Sequence, residues 1–430
     1  MLRRTASSLL VLALAGTATA CGRSAPDPAV AADARGPITV WLSNNAQEVQ
    51  WGEAMVAAWN ERHPDQHVTA QQIPAGKTSE EAISASIIAG TSACLAFNTS
   101  PAAVPTFQKQ NGLVPLSDFA DGDAYIEKRS GALADQYRSS DGKFYQLPWK
   151  SNPVMILYNK KLFAKAGLDP DHPKLATYDE FLATSRRLVH SGAAQAAIWP
   201  SPSSDFFQPW YDFYPAFAAQ SGGRQLIEDG TPRFDSPAGR QVASFWRTLY
   251  AEKLAPQEAY PGDSLNDGKA AMATVGPWAI AAYKSSVDLG VAPVPTADGG
   301  TDKHSFSDEK SVSMFSACKN RATAWDLLKF ATSVGRDGDF LAATGQMPMR
   351  TDLTSKYPDF FAKKPTYKAF ADQAQRVVEV PNVAGSVDIW QAFRDAWTKS
   401  VVFGREPTDA ALRDASSEIS HLLDEYEDAS

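Results

Sequence analysis

The feature that most constrains the fold is the stretch from Asp141 to Phe163, which contains two strand-like runs separated by a polar break. Phe144–Leu147 is one run, and Pro153–Tyr158 is the other, which is apolar enough to be buried on both faces of a sheet. Pro148 lacks an N–H and ends the first strand, while Pro153 biases the residue before it away from helix. A short extended break of this kind is typical of a chain that passes from one lobe to another.

The length of the chain supports this interpretation. A chain of 430 residues is too long for one simple core, so two lobes are expected. Trp149 and Lys150 of the break would then lie where the lobes meet, which is a common place for a small-molecule site. We therefore predict that both residues contact a ligand.

Composition indicates a folded globular protein and argues against a nucleic-acid partner. Hydrophobic residues make up 44% of the chain and charged residues 21%. The net charge is −8, and the sequence contains no dense block of Lys and Arg. Binding to a phosphate backbone depends on such a block.

The N-terminus is predicted to be an export signal that ends at a lipidated cysteine. In residues 1–21, Arg3-Arg4 is the charged end, and Leu9–Ala15 is an apolar run too short to span a bilayer. Ala18-Thr19-Ala20 leads directly to Cys21, which resembles a lipobox, where the Cys thiol is acylated and becomes the mature N-terminus. Cleavage by an ordinary signal peptidase is the alternative.

The segment after this signal predicts a tether. Residues 22–36 are small, polar and Pro-containing, as in flexible linkers. Acyl chains on Cys21 would anchor the protein by burying CH₂ groups, which places it on the outer face of the cell membrane or in the periplasm. No later stretch is a long apolar run, so nothing else is expected to span the membrane.

The chain contains three cysteines, and lipidation of Cys21 leaves Cys94 and Cys318. Export favours a disulfide between these two residues, because exported proteins fold in oxidising compartments. The alternative is a pair of buried free thiols that pack as small apolar groups.

Strands and helices alternate after the tether, which indicates an α/β lobe with parallel strands. The predicted elements are a strand at Ile38–Leu42, a helix at Glu48–His63, a strand at His67–Gln71, a helix at Glu80–Ala89 and a strand at Ala93–Phe97. Ligands in such lobes bind beyond the carboxyl ends of strands. This places Asn44 and Asn45 after the first strand, and Asn98 and Ser100 after the third, in a predicted site.

Further candidates come from the second half of the chain. Trp210 lies in an aromatic run, and Trp278 follows Gly276-Pro277 at the end of a predicted strand. An aromatic ring offers an apolar face to the C–H face of a sugar, although core packing is the alternative for each Trp, including Trp149. Asp308 and Arg350 are predicted to clamp ligand hydroxyls, with an exposed salt bridge as the alternative.

Three kinds of chemistry lack their sequence signatures. Gly76-Lys77-Thr78 resembles the end of a P-loop, but Gln71 stands where that loop needs glycine. His63 and His67 have a helical metal-ligand spacing that the intervening Pro64 disrupts. The sequence has no G-x-S-x-G elbow, and no local signature pairs the two carboxylates of a glycosidase. We therefore expect no nucleotide, metal or other cofactor and no catalysis.

Taken together, these segments resemble the extracellular solute-binding proteins of carbohydrate ABC importers, a family that includes maltose-binding proteins. The matching segments are ITVWLSNN, AAWNERHPDQHV, IIAGTSACLAF, NGLVPL, DGKFYQLPW, MILYNKKLFAKAGLDP, ATYDEF, DGKAAMATVGPWA, APVPT, KNRATAWDLLKFATS and TGQMPMR. They run along nearly the whole mature chain in the family's order. The family usually has Pro-Asp where Ala93-Cys94 stand here, and often Ser at Cys318, which supports the disulfide.

The resemblance implies two α/β lobes of the type II periplasmic-binding-protein kind, joined by three crossings with a sugar cleft between them. We expect residues 37–148 and 296–332 in the first lobe, and 149–295 and 333–430 in the second. The resemblance carries a site role to Asn44, Asn98, Trp149, Lys150, Trp278 and Arg350, and also to Asp308 and Trp210, whose loops vary in the family. It implies a monomer that delivers its ligand to a membrane permease driven by a separate ATPase.

Two alternatives remain open. One is the same fold with a polyamine or another small solute as its ligand, and a cationic ligand would require several carboxylates in the cleft. An exported glycosidase is the other alternative. The Asn, Trp, Lys and Arg candidates suit a neutral, hydroxyl-rich ligand better than a cationic one.

Overall fold

A computed structural model of the protein describes residues 32–76, 78–200, 211–283, 285–300 and 303–428. Predictions for the export signal, Cys21, most of the tether and Trp210 lie outside these ranges. Within them, no helix combines the length and the apolar character needed to cross a bilayer.

The strands of the described residues are mostly short. In chain order they are β1 (Ile38–Leu42), β2 (Val68–Gln72), β3 (Leu95–Thr99), β4 (Gln146–Ser151), β5 (Met155–Asn159), β6 (Ala196–Ile198), β7 (Ile227–Glu228), β8 (Thr231–Pro232), β9 (Ala270–Val275), β10 (Leu289–Ala292), β11 (Ser305–Phe306), β12 (Lys310–Met314), β13 (Met347–Pro348) and β14 (Val377–Val378).

The α-helices range from single turns to one long C-terminal helix. In chain order they are α1 (Ala46–Asn60), α2 (Ser79–Ala89), α3 (Val104–Lys109), α4 (Gly122–Ser130), α5 (Lys160–Lys165), α6 (Tyr178–His190), α7 (Phe213–Gln220), α8 (Pro237–Ala251), α9 (Trp278–Ala282), α10 (Arg321–Ala331), α11 (Val334–Thr344), α12 (Leu353–Lys356), α13 (Pro358–Lys363), α14 (Pro365–Gln373), α15 (Ser386–Trp397) and α16 (Thr408–Asp428).

Helix starts follow local sequence signals. Thr177 forms a capping box with Glu180 at the start of α6. Ser236 accepts a hydrogen bond from the backbone N–H of Gly239, and Pro237 occupies the first turn of α8. Thr78 caps α2 by accepting a hydrogen bond from the backbone N–H of Glu81.

The first lobe is built on a sheet with the strand order β13-β4-β12-β3-β1-β2. β1 runs parallel to β2 and β3, whereas β12 runs antiparallel to both β3 and β4. A disulfide joins Cys94, just before β3, to Cys318, just after β12, with Cα atoms 4.4 Å apart. This bond lies at the end of β3 opposite to Asn98.

The second lobe is built on a sheet with the order β10-β5-β9-β6. β5 is buried on both faces, as its apolar sequence predicts. Ile156 and Tyr158 pack into the main core of this lobe, and Met155 and Leu157 pack into a smaller cluster on the other face. β6 runs parallel to β9, so both end at the same edge of the sheet.

Three segments connect the lobes, as expected, but two boundaries differ from the predicted ones. The first sheet keeps β4 up to Ser151, so the first crossing begins at Asn152 rather than at Trp149. The last crossing begins after β13 rather than near Ser333. The reason is that α11 packs against α1 and places Phe340 in the first-lobe core.

The crossings lie side by side. β11 pairs in parallel with β14, and Pro153 forms a bridge with Ser307. The backbone N–H of Asp308 donates to the carbonyl oxygen of Asn152 at 3.1 Å. The chain therefore passes between the lobes through one narrow layer of paired segments.

Candidate functional site

The carboxyl ends of the parallel strands of the first sheet lie at one edge, as the α/β pattern predicts. Asn44 is exposed after β1, and Asn45 caps α1 by accepting a hydrogen bond from the backbone N–H of Glu48 at 3.1 Å. Asn98 lies near the end of β3 with a φ of 80°, in the left-handed region that Asn tolerates better than most residues. Ser100 follows β3 and is buried. The arrangement brings the predicted Asn44, Asn98 and Ser100 to a single edge.

Lys150 lies at the end of β4 in a buried ion pair. Its Nζ is 2.5 Å from Oε1 of Glu48, and the same oxygen accepts a hydrogen bond from Nε2 of Gln346 at 2.6 Å. Burial lowers the pKa of Lys150, with Glu48 opposing it. Burial by itself would raise the pKa of Glu48, but Lys150 together with hydrogen bonds from Ser43 and Gln346 outweighs it and lowers that pKa.

Asn152 connects this ion pair to the second crossing. Its Nδ2 donates to Oε1 of Gln346 at 3.0 Å and to the carbonyl oxygen of Asp308 at 3.4 Å. We call Glu48, Lys150, Asn152, Asp308 and Gln346 the crossing cluster. Sequence analysis identified Lys150 and Asp308 but missed the other members, because they come from helix and linker segments far apart in the chain.

Asp308 joins the crossing cluster to the second lobe. Its Oδ1 is 2.8 Å from Nζ of Lys310, and its Oδ2 accepts a hydrogen bond from the hydroxyl of Tyr211 at 3.1 Å. The ion pair is largely buried, with side-chain exposures of 13% for Lys310 and 17% for Asp308, so it is not the exposed salt bridge of the alternative. Burial and the neighbouring Asp308 raise the pKa of Tyr211 well above its ordinary value.

Half-buried aromatic residues follow the strands of the second sheet. Trp278 begins α9 directly after β9, and its ring centroid lies 5.8 Å from that of Tyr211. Trp199 follows β6, and its ring lies 5.0 Å from that of Tyr260. We call Trp199, Tyr211 and Trp278 the aromatic edge. A Cβ at Gly276 would collide with the Trp278 ring, which accounts for the glycine before it.

Sequence analysis missed two members of this edge. Tyr211 belongs to a run with several aromatic residues, and sequence favoured its neighbour Trp210, which lies outside the described residues. Trp199 was not among the candidates, although it directly follows β6. The signal that identifies Trp199 is the parallel pairing of β6 with β9, which places it at the same edge as Trp278.

Two predicted ligand residues have other partners in the structure. Trp149 is only 1% exposed, and its ring packs against Trp51, Phe97 and Phe340 at centroid distances of 5.5, 5.3 and 4.7 Å. Its face is therefore covered in this conformation. Nζ of Lys150 lies 4.9 Å from the centroid of this ring, so the ion pair with Glu48 covers part of the same core.

Arg350 belongs to a separate ion-pair group. Its guanidinium lies 3.1 Å from Asp337 and 3.2 Å from Asp352, and Arg129 approaches Asp337 at 2.9 Å. This group lies beside α4 and α11 of the first lobe. The structure therefore brings Lys150 and Asp308 together through the crossing cluster, while the guanidinium of Arg350 binds carboxylates of its own group.

A second pair of carboxyl groups is buried beneath the crossings. Glu309 accepts hydrogen bonds from the backbone N–H of Trp149 at 3.2 Å and from the hydroxyl of Ser311 at 3.0 Å. Oε2 of Glu379 accepts one from the hydroxyl of Tyr137 at 3.3 Å. Burial raises the pKa of Glu309 to about 8, and burial together with Glu309 raises that of Glu379 well above its ordinary value. These groups therefore retain protons that free carboxyls lose.

Within the part of the chain that the structure describes, no three His, Cys, Asp or Glu side chains are grouped as a metal site requires. The described chemistry of the site therefore consists of hydrogen-bonding groups, paired charges and aromatic rings. Such an arrangement can bind a solute between the lobes.

Comparison with known proteins identifies the family. A family model for the bacterial extracellular solute-binding proteins matches residues 44–336, which is more than half of the chain. The chain belongs to this family. The resemblance that its sequence segments show is thereby confirmed.

Relatives of the chain are binding proteins. The maltodextrin-binding protein MdxE of Bacillus subtilis is 24% identical over 316 residues, which is 69% of this chain and 71% of the relative. The diacetylchitobiose binding protein DasA of Streptomyces coelicolor is 25% identical over 333 residues, which is 71% of this chain and 72% of the relative.

Solved structures confirm the fold. The cyclic alpha-maltosyl-1,6-maltose binding protein of Arthrobacter globiformis matches with a TM-score of 0.78 at 22% identity, over 90% of this chain and 99% of the other. The two-lobed type II periplasmic-binding-protein fold expected from the sequence is therefore correct.

Proposed function

We propose that this solute-binding protein captures a sugar or oligosaccharide between its lobes and delivers it to the membrane permease of an ABC importer. Acylation of Cys21 would anchor it to the outer face of the cell membrane. The family assignment and the carbohydrates named for its relatives support the ligand class. The protein would act as a monomer and bind without catalysis.

One observation carries the choice of a neutral ligand. Each carboxylate of the crossing cluster is already paired with a lysine: Glu48 with Lys150, and Asp308 with Lys310. A cationic polyamine requires carboxylates whose charge is not already balanced, whereas a sugar requires hydrogen-bonding groups and aromatic surface. The paired charges also disfavour a glycosidase, which needs one carboxyl as acid and another as base or nucleophile.

The aromatic edge supports the same conclusion from the other lobe. The rings of Tyr211 and Trp278 are half-buried and lie beside each other, and the Tyr211 hydroxyl donates to Asp308, so apolar surface and hydrogen-bonding groups adjoin one another. A ligand that touches both lobes stabilises the closed arrangement only because it interacts more favourably with the closed than with the open arrangement. We propose that the predicted Asn44, Asn98 and Ser100 extend the polar side. Trp210 would extend the aromatic side.

Titration calorimetry tests the ligand class. The panel contains maltose, maltotriose, maltotetraose, diacetylchitobiose, putrescine and spermidine. We expect saturable heat from at least one sugar, no heat from the amines, and no product after long incubation. Heat from an amine alone would favour the polyamine alternative, and released product would favour the glycosidase.

The anchor is tested separately. We expect an expressed full-length chain to incorporate an alkyne-labelled fatty acid and to sediment with membranes. Cys21→Ser should lose both properties. Membrane retention of the unlabelled Cys21→Ser protein would contradict the lipid anchor without affecting the ligand proposal.

A further inference from the structure

The crossing cluster contains a chain of hydrogen bonds with a fixed direction. Lys150 can only donate, and an ionised Glu48 can only accept. Nζ of Lys150 and Nε2 of Gln346 approach the same carboxylate oxygen at 2.5 and 2.6 Å. The amide of Gln346 must therefore turn its nitrogen toward Glu48.

This orientation determines the next amide. With its nitrogen on Glu48, Gln346 presents Oε1 to Asn152 and accepts from Nδ2 at 3.0 Å. The same Nδ2 also donates to the carbonyl oxygen of Asp308 at 3.4 Å. A flipped Asn152 would bring its oxygen against two acceptors, so the flip is unfavourable.

Among the residues that the structure describes, one polar atom of Asn152 then has no partner. Its backbone N–H donates to the hydroxyl of Ser307 at 3.1 Å, and its carbonyl oxygen accepts from the backbone N–H of Asp308 at 3.1 Å. Oδ1 is buried and accepts no hydrogen bond from any described residue. Buried acceptors are costly when unpaired, so this atom requires a donor from outside the described chain.

We propose that Lys150, Glu48 and Gln346 form a polarity relay, by which we mean a chain of hydrogen bonds whose direction is fixed by the charged pair at one end. The relay orients the side chain of Asn152 so that its Oδ1 can accept a hydrogen bond from a ligand hydroxyl. The inference rests on the proposed function and adds the residues that determine specificity for one donating hydroxyl of the ligand. Asn152 begins the first crossing and is buried there, so in this proposal opening of the lobes would expose this layer and closure would enclose it. The hydroxyl must act as a donor here, because the relay fixes an acceptor on the protein.

Fluorinated sugars test the direction of this hydrogen bond. A fluorine in place of a hydroxyl keeps a weak acceptor but removes the donor. The sugar of the panel that binds most tightly is compared with its monodeoxy and monofluoro derivatives by calorimetry. We expect one position at which both derivatives bind about tenfold more weakly, equivalent to about 1.4 kcal/mol.

The relay is interrupted by Gln346→Met. This variant keeps the side-chain volume but removes the hydrogen bonds that link Glu48 to Asn152. The amide of Asn152 can then turn either its oxygen or its nitrogen toward the ligand. The loss of affinity caused by fluorine at that position should therefore fall below about twofold. The matched control is Gln373→Met. Gln373 is equally buried, 4% against 3% exposed, and its Nε2 donates to the carbonyl oxygens of Lys303 and Arg376 outside the relay. The control should keep the tenfold penalty.

Two further measurements keep the test decisive if Gln346→Met does not fold. Glu48→Gln allows the amide of Gln346 to face residue 48 with either its nitrogen or its oxygen. This variant should therefore also reduce the loss of affinity for the fluorinated sugar. In addition, NMR can follow the side-chain amide protons of Asn152 without any ligand. We expect their exchange with solvent to be slow in the wild type and in Gln373→Met. It should be at least about tenfold faster when the relay is broken, since these protons lose their acceptor.

The outcomes separate the two proposals. If no sugar of the panel binds, the proposed function is wrong and the relay loses its ligand. If a sugar binds but the fluorine penalty is the same in Gln346→Met and Gln373→Met, the relay is wrong while the proposed function stands. If the Asn152 amide protons exchange as slowly in Gln346→Met and Glu48→Gln as in the wild type, the relay is contradicted independently of the sugar.

Discussion

The two sides of the proposed site are built from different materials. On the first-lobe side, the crossing cluster consists of buried charges and amides whose oxygens and nitrogens lie 2.5–3.4 Å apart in hydrogen bonds. On the second-lobe side, the aromatic edge consists of half-buried rings, and the ring centroids of Tyr211 and Trp278 lie 5.8 Å apart. The first arrangement fixes the direction of its hydrogen bonds, whereas the second provides apolar ring surface for stacking. We infer that orientation comes from one lobe and stacking from the other.

The largest expected effect comes from breaking the buried charge pair. Lys150→Met leaves Glu48 buried without a counter-charge, so the free energy of unfolding should fall by about 3–5 kcal/mol. Urea unfolding measures this loss. Lys368→Met is the matched control: Lys368 pairs with Asp372 at 2.6 Å, but both side chains are about half exposed, and such surface pairs contribute about 0–1 kcal/mol. Equal losses in the two variants would contradict a structural role for the buried pair.

The disulfide should stabilise the first lobe without affecting binding. Replacing Cys94 and Cys318 together by Ser should lower the free energy of unfolding by about 2–5 kcal/mol. Sugar affinity should change by less than about twofold, since the bond lies at the far end of β3 from Asn98 and makes no differential contact with a ligand. Urea unfolding and calorimetry measure the two quantities. Free thiols on the unreduced wild type, detected by alkylation and mass spectrometry, would contradict the bond.

The buried carboxyl beneath the crossings predicts a pH dependence of stability. The folded protein holds the Glu309 proton up to about pH 8, whereas a carboxyl with its ordinary pKa of 4.5 releases it earlier. The contribution is therefore complete below pH 4.5 and is lost as the pH rises toward 8. The slope is at most about 1.4 kcal/mol per pH unit for this one group.

Glu309→Gln tests this dependence, because an amide does not titrate. Its unfolding free energy should fall less steeply between pH 5 and 8 than that of the wild type. The exposed Glu252→Gln serves as a control and should leave the slope unchanged. Parallel pH curves for Glu309→Gln and the wild type would exclude Glu309 as the titrating group.

The aromatic edge predicts the smallest energetic effect. Trp278→Ala should weaken sugar binding by about tenfold, or about 1.4 kcal/mol, the scale of one lost aromatic contact. The unfolding free energy should change far less than in Lys150→Met. Phe403→Ala removes an exposed second-lobe ring outside the aromatic edge and should leave affinity unchanged. Unchanged affinity in Trp278→Ala would mean that this ring only packs against its neighbours.

Sequence predicted those features that depend on local patterns. The apolar run of β5, the capping box at Thr177 and the edge that carries Asn44 and Asn98 follow from residue types and short spacings. The resemblance to solute-binding proteins added the three crossings, which local patterns alone would not have established.

Features that depend on tertiary contacts were not predictable in this way. Glu48 lies 102 residues from Lys150 and 298 from Gln346, so no spacing rule connects them. The ring of Trp149 packs against Trp51 and Phe340, which lie far from it in the chain, so local patterns could not show that its face is covered. The predicted third crossing lies too early in the chain, since Ser333 only precedes α11, which stays in the first lobe.

The most direct test of the central claim is a crystal structure of the protein with the sugar of the panel that binds most tightly. We expect density for the sugar between the lobes, with one ring face on Tyr211 or Trp278 and a hydroxyl within hydrogen-bond distance of Oδ1 of Asn152. A sugar bound to the surface of a single lobe, away from both the crossing cluster and the aromatic edge, would contradict it.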